Sequence, residues 1–171
     1  MTVLKKIVRF LDRISHWSGT IACWLIVPLV VGTSYDVLMR YFFKAPTKWA
    51  YELTWMEYGA LFMLGGAYTL RYRLHVRVDV LYSIYSKRAQ AWFDALMYLI
   101  IFFPVYTILI IYSTKYMIYA WSIGEHSYLS YWQPPVYPIK TVMVVAFILM
   151  FLQGVSEFLK NAAFAIFGEE I

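Results

Sequence analysis

At 171 residues the chain suits one domain, yet hydrophobic residues make up 62% of it and charged residues only 15%. A soluble domain this small leaves much of its surface in water, so that much apolar side chain points to lipid as the solvent. The net charge of +5 does not mark a nucleic-acid binder, because the basic residues flank apolar runs and form no dense patch.

The chain opens on an amphipathic segment. Residues 3–14 place Val3, Leu4, Ile7, Val8, Leu11 and Ile14 on one face and Lys5, Lys6, Arg9, Asp12 and Arg13 opposite. Such a helix is expected to lie on the membrane surface with its basic side toward lipid headgroups. The apolar run that follows is not expected to be a cleaved signal, because it continues past Tyr35 and Asp36.

A span needs about 20 largely apolar residues. Four stretches qualify, at about 17–39, 49–70, 92–112 and 137–153. Pro28 and Pro104 fall inside the first and third, where kinks are expected and the spans persist. Between the second and third, residues 79–88 form a further surface helix: Asp79 is the N-cap, and Lys87 and Arg88 close it. The tail from Lys160 to Phe167 is either another surface helix or an extension of the last span. The fold class is thus an all-α integral membrane protein of four transmembrane helices with short interfacial helices, in one membrane domain over residues 1–171.

Orientation follows from Lys and Arg in the short loops. One side carries ten, in the N-terminus, the 71–88 loop and the tail; the other carries Arg40, Lys44, Lys48, Lys115 and Lys140, which is five. Both termini are therefore expected in the cytoplasm. The 20% aromatic content, much of it near span ends, fits interfacial belts. Cys23 lies inside an apolar run, is expected to be packing material, and has no second cysteine to pair with.

Ionisable residues within spans usually face protein or water. Glu57, two turns into the second span, is the deepest, and Glu52 lies one turn nearer the surface. A cation pathway is one reading of them; pairing with a basic group on a neighbouring helix or a partner is the other, and is preferred, because a transport path needs more polar and helix-breaking residues at midplane. Asp36 and Arg40, four apart, share a helical face and can pair. Gly59, Gly65 and Gly66, with Ala60 and Ala67, give the second span a small-residue face that permits close helix approach.

The histidines test a haem- or quinone-binding redox anchor. His16 stands at the inner entrance of the first span, His75 in the inner loop and His126 in the outer one, so no pair converges from facing helices. No nucleophile elbow, phosphate loop or HExxH motif occurs. No cofactor or metal is called for. The outer segment 124–135, with Glu125, His126 and Trp132, is either a docking loop for an extracytoplasmic protein or a rigid re-entry into the last span.

Three elements carry a family resemblance: Arg40-Tyr41-x-Phe43, then Trp49-x-x-Glu52-Leu53, then Arg71-x-x-x-His75-Val76-x-Val78-Asp79. In their order and spacing the chain resembles the small membrane subunit, DctQ type, of tripartite ATP-independent periplasmic (TRAP) transporters. The resemblance implies a bacterial or archaeal inner-membrane protein bound to a large multi-helix subunit. That subunit would carry substrate and sodium by an elevator motion, and a periplasmic binding protein would deliver an organic acid. The small subunit would be a non-catalytic brace, with Arg40, Trp49, Glu52, Arg71, His75 and Asp79 carrying the family pattern, and with Trp49, Glu52, Glu57, Gly59, Gly65 and Gly66 of the second span expected to meet the large subunit.

Overall fold

The computed structural model describes residues 2–72, 74 and 85–168. The described residues form helices α1 (Thr2–Trp24), α2 (Ile26–Phe42), α3 (Ala50–Arg71), α4 (Lys87–Met97), a π turn (Tyr98–Phe102), α5 (Phe103–Ser122) and α6 (Tyr137–Phe167). No strand occurs among them, only an isolated bridge between His126 and Pro135.

Three continuous helical stretches are long and apolar enough to cross a bilayer: Val3–Phe42, Lys87–Ile123 and Tyr137–Phe167. The fourth expected span is α3, whose 22 residues are about 33 Å long and match a hydrocarbon core of about 30 Å. Glu52, Glu57 and Arg71 lower its apolarity. It packs against α1, α2 and α6.

Helix ends differ from expectation where tertiary contacts extend them. The amphipathic 3–14 segment and the first span join without a break at residue 15, and the helix breaks instead at Leu25. There the Leu25 N–H turns to the Ala22 carbonyl, three residues back, at 3.1 Å. Pro28, with no N–H, gives the Trp24 carbonyl no i+4 donor. Val8 and Leu11, taken as a lipid-facing stripe, are buried, because α1 runs on along α3 and α6. The last helix continues past residue 153 to Phe167, and Gly168 closes it at φ 72°.

Most of the 79–88 segment lies outside the described residues. Its described end is corrected: Lys87 and Arg88 open α4 rather than close a surface helix. The Ser86 side chain is the N-cap, accepting from the Ala89 N–H.

Pro104 acts through the π turn. The Phe103 N–H bonds to the Tyr98 carbonyl five residues back, the widened turn that absorbs a residue unable to donate. Phe102, in that turn, packs onto α6 at Gly154, where an added Cβ would overlap its ring.

The buried apolar set is dominated by alanine, including Ala60, Ala67, Ala95, Ala120, Ala146 and Ala163, while most Phe, Trp, Ile and Leu lie outside. In lipid, large apolar side chains gain nothing by burial, so small residues take the helix contacts.

Candidate functional site

The loop end of the α2–α3 hairpin is built around Asp36. Its carboxylate accepts from Arg40 Nη2 at 2.7 Å, from the Thr47 N–H at 3.0 Å and from the Thr47 hydroxyl. Asp36 therefore holds the turn as well as the pair foreseen with Arg40. Trp49, immediately before α3, stacks on Tyr35 with ring centroids 6.1 Å apart. Asp36 and Trp49 thus make the contacts across this hairpin, and Arg40 pairs with Asp36 from the same helix.

One turn on, Glu52 is only 1% exposed and its Oε1 has no hydrogen-bond partner. It is the third residue of α3, in the helix's first turn. Glu57 is half-buried and makes no hydrogen bond or ion pair among the described residues. Among the described residues, no base pairs with either acid.

The glycines divide. A Cβ at Gly66 would meet Met150 Cε at 3.1 Å, whereas Gly59 and Gly65 have nothing within 4 Å. The close approaches inside the chain are at Gly19, where a Cβ would overlap Tyr68, and at Gly154 against Phe102. Neither was singled out from sequence, since a lone glycine in an apolar run gives no partner.

The end of the molecule that carries the N-terminus holds a polar cluster that sequence reasoning missed. Asp12 of α1 accepts from Ser156 Oγ at 2.7 Å and from Gln153 Nε2 at 3.1 Å, and pairs with Lys160 Nζ at 3.0 Å. Lys160 also pairs with Glu157 at 2.7 Å, and Ser15 donates to Gln153 Oε1 at 2.6 Å. Arg71 of α3 joins by donating to the Asp12 backbone carbonyl at 2.8 Å. A signal existed: positions 153, 156, 157 and 160 follow helical spacing and make one polar stripe. Taking the span to end at residue 153 divided it. Nearby, Arg88 donates to the Ala165 and Ile166 carbonyls at 2.7 and 2.8 Å and caps the C-terminus of α6. His75 and Asp79 lie outside the described residues.

At the opposite end, Glu125 pairs with Lys140, whose Nζ also lies 3.6 Å from the Tyr116 ring centroid. The loop closes on itself through Ser127 N–H to Pro134 O and Val136 N–H to Glu125 O, both 2.9 Å. Glu125 is thus engaged within the chain. His126 Nδ1 lies 2.6 Å from the Gly124 carbonyl, and Trp132 is exposed. Tyr131, 98% exposed, is the more prominent aromatic.

His16 contacts Tyr72 Oη at 3.4 Å, at the end of the molecule opposite His126. Among the described residues no group of three or more His, Cys, Asp or Glu comes together to hold a metal. The clefts are open surface grooves, such as one of about 340 Å³ between α2 and α3 and one of about 510 Å³ beside Gly65 and Gly66. The geometry ties helices together at both ends.

The sequence model of one family, described as Tripartite ATP-independent periplasmic transporters, DctQ component, matches residues 29–164. No protein of curated function matches the chain.

Proposed function

The chain belongs to the DctQ family of tripartite ATP-independent periplasmic transporters, and from that premise we propose that it is the non-catalytic small permease subunit bracing a large elevator-type subunit. The complex would carry out sodium-coupled uptake of an organic acid delivered by a periplasmic binding protein. As a transporter component with membrane-spanning helices, the chain is a multi-pass inner-membrane protein. Both termini are assigned to the cytoplasm on the Lys and Arg distribution.

One observation carries the brace reading: at each end a charged pair ties separate segments together. Asp12 of α1 meets Lys160 of α6 at one end, and Glu125 of the 124–135 loop meets Lys140 of α6 at the other. A subunit tied at both ends resists distortion when a neighbour moves, which is what a stationary support needs. Its outer surface is apolar over most of its height, as a protein seated in lipid and against another membrane subunit requires.

Reconstitution tests this. Vesicles holding the large and small subunits, with binding protein and a sodium gradient, should take up substrate; vesicles with this chain alone should not. Uptake by the isolated chain would overturn the assignment.

A further inference from the structure

Helices α1, α3 and α6 enclose a surface groove of about 400 Å³ whose walls include Phe10, Ile14, Trp17, Ile21, Leu64 and Leu149. Ser18 of α1 fixes its floor by donating to the Leu64 carbonyl at 2.8 Å. Glu57 stands seven residues before Leu64. Seven residues are nearly two helical turns, so Glu57 lies on the same face of α3, about 10 Å further toward the outer side.

The three grooves flanking α3 differ in one respect. Beside the α2–α3 groove, Asp36 is satisfied by Arg40 and Thr47. Beside the groove at Gly65 and Gly66, the Thr69 hydroxyl is returned to the Gly65 carbonyl at 2.8 Å. Of the three, the α1–α3–α6 face alone continues to a carboxylate with no partner among the described residues; the cation on its wall, Arg13, lies at the other end of the groove, five residues before Ser18. Glu52 also has an orphan oxygen but is enclosed by its own chain, where another protein cannot reach it. A carboxylate at this depth, facing hydrocarbon, is strongly disfavoured unless a donor meets it.

We infer that the α1–α3–α6 face is the seat of a transmembrane helix of the large subunit, which sets a basic or other hydrogen-bond-donating side chain against Glu57. The inference rests on the small-subunit assignment above and adds the face and the chemistry of the contact. The groove receives the partner's apolar side chains, and the carboxylate fixes its register, since an apolar groove alone permits sliding.

The test uses the complex co-expressed in membranes. Photo-crosslinking side chains are placed singly at Trp17 and Ile21, exposed in the groove, and at Phe62, which is 72% exposed on the opposite face of α3. Crosslinks to the large subunit are expected from Trp17 and Ile21 and not from Phe62. Glu57→Leu is expected to lower recovery of the large subunit by about tenfold or more, with Glu57→Gln retaining more of it. Crosslinks from Phe62 alone, or lipid adducts alone from the groove, overturn the inference, as does full recovery with Glu57→Leu; all three leave the brace reading standing when the wild-type chain still recovers the large subunit. If the wild-type chain recovers none, whatever the crosslinker position, the brace reading falls and the inference with it.

Discussion

Asp12 and Lys160 lie 148 residues apart in the chain, and their side chains meet at 3.0 Å. The contact joins the first helix to the last, and Ser156 and Gln153 supply further donors to the same carboxylate. Removing one partner strands a mostly buried charge, whereas removing both leaves less to satisfy. Asp12→Leu is therefore expected to destabilise the subunit by about 2–3 kcal/mol. Asp12→Leu combined with Lys160→Leu should cost less than the sum of the two single changes. Thermal unfolding of the detergent-solubilised variants, treated as a double-mutant cycle, measures this; strict additivity would show that the two side chains do not interact.

Gly154 and Phe102 make a second pair whose spacing the backbone dictates. The π turn before Pro104 seats Phe102 where α6 has no side chain. Gly154→Val should force the ring out and cost about 1–3 kcal/mol, the usual range for overpacking. Phe102→Ala in the same chain should recover part of that loss. Thermal stability of the single and double variants decides it, and the absence of any rescue would place the strain elsewhere.

How much of this was legible in the sequence depends on the scale of the pattern. The all-α membrane class is written in composition and in runs of about twenty apolar residues, which no tertiary contact can hide. The Asp36–Arg40 pair was legible because both residues lie on one helix, four apart. Asp12–Lys160 was not, since its partners come from opposite ends of the chain and the polar stripe 153–160 was cut by an early span boundary. Helix extents were misjudged for the same reason. Hydropathy marks where lipid ends, but α1 and α6 continue as helices because they pack against each other beyond that point. Gly19 and Gly154 were invisible as contacts because a glycine carries no sign of which ring will approach it.

Glu125 and Lys140 should show the asymmetry expected of a buried ion pair. The Lys140 side chain is 8% exposed and has Glu125 and the Tyr116 ring around it. Glu125→Ala leaves that ammonium buried with the ring alone, and is expected to cost about 3 kcal/mol. Lys140→Met leaves a more exposed carboxylate that water can reach, and should cost less. Limited proteolysis of the 124–135 loop is the readout: Glu125→Ala should be cut faster than Lys140→Met. The opposite order would show that the lysine, and not the acid, tolerates the loss of its partner.

Orientation is testable without disturbing either anchor. Tyr128 and Tyr131 project from the outer loop, so a reporter inserted between them leaves the Glu125–Lys140 pair and the Ser127–Pro134 contact intact. Ten Lys and Arg residues on the opposite side against five on this one place the loop outside and the C-terminus inside. A periplasm-active reporter at residues 128–131 should therefore be active, and the same reporter after Ile171 inactive. A cytoplasm-active reporter should give the reverse at both positions. Activity of the periplasmic reporter at the C-terminus would mean that Arg40, Lys44 and Lys48 outweigh the inner cluster. The Asp12–Lys160 anchor would then face the periplasm, and the Glu125–Lys140 anchor the cytoplasm.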